Sequence, residues 1–143
     1  MAKIESIQVQ VLCHATEDEE KVMKAVENVL GSEALEKVTV LAEALQGHYG
    51  DQISLIKLSL RDSRLAEEVL KNILSRLSEE DRAEIWKERL KRGKHGGKLY
   101  LRLDKQAAYL GSLKISDKDP IRVQVNIRGR LESFRRRMEE ELK

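Results

Sequence analysis

The fold is decided near the start of the chain by the stretch Ser6-Ile7-Gln8-Val9-Gln10-Val11-Leu12-Cys13-His14-Ala15. Apolar side chains recur at every second position from Ile7 to Ala15, and the positions between them are Ser6, Gln8, Gln10, Leu12 and His14. Because successive side chains of a strand point to opposite faces of a sheet, this alternation predicts a strand with one buried face. The other face of the same strand is predicted to be polar and open.

Helix and strand patterns follow this first strand along the chain. Thr16 and Glu19 have the form of a capping box, and the apolar stripe behind them ends at Gly31, which predicts a helix over 17–30. The next patterns predict strands over 37–45 and 52–61 joined by a turn at 47–51, and then a helical hairpin over 64–92 whose second helix is capped by Ser78. After the hairpin we expect a strand over 98–104, a short helix capped by Asp104 and a short strand at Leu113 and Ile115. A strand over 121–128 and a terminal helix complete the chain.

These elements predict an α+β fold with a mixed, mainly antiparallel sheet and helices packed on one face. At 143 residues the chain has the length of a single domain, and we expect one domain over residues 1–143, basic toward its C-terminal half. The terminal helix carries a narrow apolar stripe formed by Leu131, Phe134, Met138 and Leu142. This stripe predicts light packing on the sheet or on a partner subunit.

Composition narrows the class of protein. Charged residues make up 36% of the chain and aromatic residues 3%, a balance typical of a folded, highly soluble domain. The first five residues lack the layout of a signal peptide, no apolar run approaches the roughly 20 residues of a membrane span, and Cys13 is the single cysteine. We therefore expect a cytoplasmic protein that makes no contact with membranes.

Basic and acidic residues are unevenly divided along the chain. Residues 1–72 carry 8 basic and 13 acidic side chains, a net charge of −5, whereas residues 73–143 carry 19 and 12, a net charge of +7. A basic half attracts phosphate groups, so the asymmetry favours a nucleic-acid partner. The alternative is that lysines and arginines only solvate helix faces.

The sequence contains no recognisable catalytic motif. The glycines around Lys94 and His95 do not form a phosphate-binding loop between a strand and a helix. Cys13 and His14 are neighbours on a strand and point to opposite faces, so they cannot act as a nucleophile and its base. The histidines and the cysteine are scattered over different elements, which predicts no metal site. We expect no cofactor and no enzymatic activity.

The basic residues are predicted to form two surfaces. The first is a glycine-rich loop that carries Lys91, Arg92, Lys94, His95 and Lys98. If the strands over 98–104 and 121–128 share a sheet with the first strand, one polar face combines Lys98, Tyr100, Arg102, Arg122 and Arg128 with Gln8, Gln10 and His14. Because Tyr100 is almost the only aromatic side chain there, the face favours phosphate and 2′-hydroxyl contacts to structured or double-stranded RNA over stacking on single strands.

Several short motifs are distributed over most of the chain. They are Cys13-His14-Ala15-Thr16-Glu17-Asp18, Gly47-His48-Tyr49-Gly50, Leu103-Asp104-Lys105-Gln106-Ala107-Ala108-Tyr109 and Asp119-Pro120-Ile121-Arg122-Val123. With these motifs the chain resembles an archaeal family of RNA-binding proteins that are predicted to associate with the exosome. The resemblance implies an α+β fold similar to the ribosomal protein that holds 5S RNA, the capacity to form homodimers, and a role in RNA processing or degradation. It also makes His14, His48, Lys105 and Gln106 candidates for a shared functional surface.

Two hypotheses from different classes follow. In the first, the chain is an RNA-binding module that uses the basic loop and the basic sheet face, in contact with exosome or other RNA-processing proteins. In the second, it is a protein-protein adaptor or dimeric scaffold that uses the terminal helix and the acidic first half, and its affinity for RNA is incidental.

Overall fold

The computed structural model describes residues 2–46 and 52–142, so the predicted turn at 47–51 and its His48 lie outside the described residues. The strands in this part of the chain are β1 (Lys3–His14), β2 (Thr39–Gln46), β3 (Gln52–Leu60), β4 (Leu90–Gly93), β5 (Gly96–Leu103) and β6 (Ile121–Arg128). The helices are α1 (Glu19–Leu30), α2 (Ser32–Lys37), α3 (Ser63–Arg76), α4 (Glu79–Glu88), α5 (Lys105–Tyr109) and α6 (Leu131–Glu141).

The six strands form one sheet in the order β2-β3-β1-β6-β5-β4. Every strand pairing in the described residues is antiparallel. The α+β class predicted from the sequence is confirmed. The strand β1 lies between β3 and β6 in the interior of the sheet, and the single buried face that its alternation predicts is present.

Burial follows the alternation of the strands. Ile7, Val9 and Val11 of β1 are buried, and so are Val123 and Val125 of β6, the strand paired with it. They belong to one continuous hydrophobic core that also takes in the apolar stripes of the helices. The opposite face of the sheet carries the intervening side chains, and this second face is called the open face below.

Side-chain caps begin four of the six helices in the described residues. Asp104 accepts a hydrogen bond from the Ala107 amide and Ser78 accepts one from the Asp81 amide, as predicted. The capping box expected at Thr16 and Glu19 is wrong. Asp18 is the cap of α1, and its carboxylate accepts a hydrogen bond from the backbone amide of Glu20.

The prediction of a basic loop after α4 is only partly right. Residues 90–93 form the strand β4, which pairs with β5 from Leu90 opposite Leu99 to Gly93 opposite Gly96. Lys91 and Arg92 therefore lie on a hairpin strand of fixed register. The short strand expected at Leu113 and Ile115 is reduced to a single bridge between Leu103 and Ile115.

The terminal helix packs far more tightly than the sequence predicts. Phe134 and Met138 are completely buried. The Phe134 ring meets Trp86 of α4 edge to face, with 6.3 Å between the ring centroids. Arg137 of the same helix donates hydrogen bonds to the Glu67 carboxylate of α3 and to the Ala2 carbonyl. This helix is part of the core, so its apolar stripe is not a surface for a partner.

Truncating Phe134 tests this packing. We expect Phe134→Ala to lower the free energy of unfolding by about 3–5 kcal/mol, because it leaves a cavity beneath Trp86. Urea denaturation measures the loss. The control Arg136→Ala changes an exposed residue of the same helix and should stay within about 0.5 kcal/mol of the wild type. A loss below about 1 kcal/mol in Phe134→Ala would show that the helix packs lightly after all.

Candidate nucleic-acid interface

The open face brings together polar side chains from β1, β6 and β5 in register. Gln8 of β1 lies opposite Gln124 of β6, which in turn lies opposite Tyr100 of β5. One row further, Gln10 lies opposite Arg122, and Arg122 lies opposite Arg102. The juxtaposition that the sequence predicted for these strands is therefore present.

Amide side chains occupy the middle of the open face and bond to one another. The Nε2 of Gln124 donates to Oε1 of Gln8 at 3.3 Å and to Oδ1 of Asn126 at 2.9 Å. The Nδ2 of Asn126 donates to the Ser6 hydroxyl at 2.8 Å. These bonds tie β1 to β6 through side chains and hold the polar surface in a fixed arrangement.

Two arginines face each other across β5 and β6. Arg102 lies directly opposite Arg122, and like charges in this position destabilise a sheet. Asp117 compensates in part, because its Oδ1 lies 3.4 Å from Nη1 of Arg102 and 3.7 Å from Nη2 of Arg89. Within residues 2–46 and 52–142, no carboxylate oxygen lies within 4.0 Å of the Arg122 guanidinium. An anion is the natural partner for this pair of charges.

The β4–β5 hairpin extends the basic surface. Lys91 lies opposite Lys98, so both ammonium groups belong to the open face. The Lys91 Nζ lies 5.4 Å from the centre of the Tyr100 ring, a cation-π contact. A shallow groove of about 500 Å³ runs here, and His95 at the hairpin turn contributes to its wall. Lys94 is exposed at the same turn.

Two predicted site residues, Arg92 and Arg128, form ion pairs away from the centre of the open face. Arg92 is paired with Gly97 on the helix face of the sheet and bonds to Glu132 of α6. That hydrogen bond lowers the pKa of the Glu132 carboxyl below its ordinary value. Arg92 therefore does not belong to the open face. Arg128 does belong to it, at the far end of β6, and its Nε lies 3.8 Å from the Glu5 carboxylate.

The candidates His14 and Lys105 meet in a separate ion cluster at the end of β1. The Lys105 Nζ donates to Oδ2 of Asp119 at 2.8 Å, to Oε1 of Glu17 at 3.0 Å and to the Leu12 carbonyl at 2.7 Å. The His14 Nε2 lies 3.1 Å from the same Asp119 oxygen. Asp119 reaches this place with a φ of 43°, in the left-handed region that few residues other than glycine adopt.

The ion cluster has the donor set of a metal site but already contains a cation. His14, Glu17 and Asp119 place their donor atoms within 4.8 Å of one another. The Lys105 ammonium lies between the two carboxylates, and its side chain is only 12% exposed. A metal ion bound there would compete with this ammonium charge. The arrangement braces β1, α5 and the turn before β6 against one another.

Gln106 and Cys13 lie outside both the basic surface and the ion cluster. Gln106 is exposed and lines a groove of about 330 Å³ together with Lys21 and Tyr109, beside the ion cluster. Cys13 is buried, and this burial raises the pKa of its thiol above the ordinary value. A thiol held in its neutral form is a poor nucleophile, which fits a role in the core.

Sequence reasoning missed two lysines of the open face. Lys57 of β3 lies opposite Gln10, and Lys3 of β1 lies opposite Arg128. The alternation Ile56-Lys57-Leu58 is a signal that places Lys57 on the open face of β3. Lys3 gives no such signal, because a bulge between Ile4 and Ser6 shifts the alternation of β1.

The open face changes character toward β2. There the side chains of Leu12, Leu55 and Ile53 are half-buried, and those of Leu41 and Leu45 on β2 are exposed. Val40, on the other face of β2, is also exposed, by 52%. The β2 end of the sheet therefore exposes apolar side chains on both of its faces, interrupted on the open face by the ion pair of Glu43 and Lys57. It contrasts with the basic β4–β5 end.

The chain is similar in sequence to a family and to individual archaeal proteins. The sequence model of a family described as RNA binding matches residues 6–127. RNA-binding protein PAB1135 of Pyrococcus abyssi is 34% identical over 125 residues, which cover 86% of this chain and 81% of that protein. Protein MJ0213 of Methanocaldococcus jannaschii is 32% identical over 123 residues, covering 82% and 80%.

The fold is shared with solved structures as well. Mth689, a DUF54 protein from Methanothermobacter thermautotrophicus, is 25% identical and superposes with a TM-score of 0.74 over 94% of this chain and 97% of its own. Fold and surface thus define an α+β sheet protein with one helix-covered face and one open face that is polar over β1, β6 and β5. This chain belongs to the family described as RNA binding.

The helices of the described residues include none that is long and apolar enough to cross a membrane.

Removing the central cation tests the ion cluster. We expect Lys105→Met to lower the free energy of unfolding by about 2 kcal/mol, because it leaves the Glu17 and Asp119 carboxylates facing each other without a counter-charge. Thermal or urea denaturation measures this loss. Lys118→Met makes the same chemical change at an exposed position nearby and should be neutral within about 0.5 kcal/mol. Equal stability of the two variants would mean that the cluster does not brace the fold.

Proposed function

We propose that this chain binds structured or double-stranded RNA through the open face and acts in RNA processing or degradation without catalysing a reaction itself. The observation that carries the proposal is the opposed pair Arg102 and Arg122, whose charges the described residues compensate only through Asp117. A protein that places like charges opposite each other on a sheet loses stability. A bound phosphate group would offset that loss.

The layout of the open face supports backbone contacts to a folded RNA. Arg102 and Arg122 lie beyond the Gln124 end of the amide network, and Lys98 and Lys91 lie beside its Asn126 end. Positive charges at two separated places suit a surface that follows a phosphate backbone. The amides between them offer both donors and acceptors, which 2′-hydroxyl groups and base edges can use.

The state of two reactive side chains supports the proposal that the chain catalyses no reaction. Cys13 is a buried, neutral thiol, and the Lys105 ammonium already has several acceptors in the ion cluster. Neither group is available as a nucleophile or base. We propose that the chain delivers bound RNA to exosome or other RNA-processing proteins, as its resemblance to the archaeal family implies.

Neutralising the arginine pair tests RNA binding. We expect Arg102→Gln/Arg122→Gln to weaken binding of a structured RNA on the order of tenfold and to reduce the slope of log K against log salt by about two, because two phosphate contacts are lost. Fluorescence anisotropy across salt concentrations measures both quantities.

A matched control is available on the other face. Arg92→Gln also removes a positive charge but lies on the helix face beside Glu132, so it should leave the salt slope close to that of the wild type. A loss in Arg92→Gln of about half that in the double variant, one charge against two, would mean that only net charge attracts RNA. An unchanged affinity in the double variant would contradict the proposal.

A second function is favoured by the two edges of the sheet. The edge strand β4 is four residues long and carries Lys91 and Arg92, the short, charged form that discourages further pairing. The other edge strand, β2, is eight residues long and exposed throughout, and both Val40 and Leu41 are more than half exposed. We propose that β2 pairs with a second copy of the chain, or with another protein for which this chain acts as an adaptor. The terminal helix takes no part in that interface.

A charge on β2 tests this pairing. We expect the wild type to sediment as a dimer and Leu41→Lys to sediment as a monomer, because a lysine on the edge opposes burial of β2. Analytical ultracentrifugation distinguishes the two. Leu110→Lys changes another exposed leucine, 71% exposed and outside the sheet, and should remain dimeric. A monomeric wild type would exclude self-association through β2.

A further inference from the structure

A small cavity is set into the open face between β1, β6 and β5. Its volume is about 200 Å³, below the roughly 300–1,000 Å³ of sites for drug-sized ligands. The strands form its floor at Leu101 and Val123, whose own side chains are buried on the helix side. Its walls are polar side chains: Gln8, Gln10, Tyr100, Arg102, Arg122 and Gln124.

The side chains of the walls favour a polar ligand that is not a cation. Carboxylates are missing from this wall among the described residues, so a cation has nothing to bind there. The amide of Gln124 is occupied by Gln8 and Asn126. By contrast, Gln10 makes no side-chain hydrogen bond with any other described residue, which leaves a donor and an acceptor at the cavity mouth.

The surroundings supply a stacking surface and a phosphate site. The Lys91 ammonium covers the Tyr100 ring from the β4 side, and the ring lies next to β6 on its other side. Arg102 and Arg122 border the same cavity. A nucleotide whose base enters beside Tyr100 therefore has two guanidinium groups near its phosphate. With a single aromatic ring available, the site suits one base and not a stacked run of bases.

We infer that this cavity takes one unpaired base of the bound RNA. Bases inside a duplex are stacked and paired, and the deep major groove of RNA hides their edges. Only a bulged or looped-out base can reach a pocket in the sheet. The RNA partner is therefore a folded RNA that carries an unpaired base. Adenine is the base that fits best, because its N6 and N7 form the edge that a glutamine amide binds in a bidentate manner.

This inference rests on the proposed function, and the test separates the two. Anisotropy titrations compare two hairpin RNAs that differ only by one bulged adenosine, each with the wild type, Gln10→Leu and the control Asn72→Leu, an exposed amide of α3. We expect the wild type and Asn72→Leu to prefer the bulged hairpin by about tenfold. Gln10→Leu should bind the paired hairpin as the wild type does and lose most of the preference.

The possible outcomes distinguish the base pocket from RNA binding itself. Equal wild-type affinity for the two hairpins, with a steep salt dependence, would overturn the base pocket and leave RNA binding standing. A preference that survives in Gln10→Leu would overturn the pocket as well. Failure of both hairpins to bind would overturn the proposed function and this inference together. A third hairpin with a bulged uridine tests the base: equal affinity for adenosine and uridine would overturn the assignment of adenine.

Discussion

Burial of one sheet face under the helices is the constraint on which the rest of the structure depends. The apolar side chains of β1 and β6 must face the helices, so the period of two forces Gln8, Gln10, Arg122 and Gln124 onto the other face. A slip of one residue in either strand would bury these polar groups. The polar surface is thus a direct consequence of the way the core is built.

The elements with the strongest alternation could be predicted from the sequence. Once β1, β6 and β5 share a sheet, the alternation places Gln10, Arg122 and Arg102 on one face, whereas the strand order and the residues that lie opposite one another are seen only in the structure. The strand β4 was missed because Lys91 and Arg92 show no apolar alternation. An edge strand of this kind is held by its backbone hydrogen bonds to β5, which leave no trace in side-chain pattern.

Contacts between distant parts of the chain account for the other differences. The narrow stripe of the terminal helix does not reveal that Phe134 meets Trp86 in the core. The ion cluster joins His14, Lys105 and Asp119 across more than 90 residues of sequence, and the cation within it is evident only from the fold. The resemblance pointed to His14 and Lys105, but their geometry indicates a structural brace that supports the end of the open face.

The two ends of the sheet suggest a division of labour. The β4–β5 end carries Lys91 and Lys98, which pair with no carboxylate among the described residues, whereas the long edge strand β2 exposes several apolar side chains. Under the proposed functions, charge would direct RNA to the β4–β5 end and leave the β2 end for protein contacts. One small domain could in this way hold RNA and a partner at the same time.

The central claim is that RNA lies on the open face of the sheet. Heteronuclear NMR of the labelled protein, titrated with a structured RNA, tests it most directly. The account predicts that backbone and side-chain amide shifts move along β1, β6 and β5, including Gln8, Gln10 and Gln124, while α3 and α6 stay unchanged. Shifts confined to the helices, with the glutamine side chains unmoved, would contradict it.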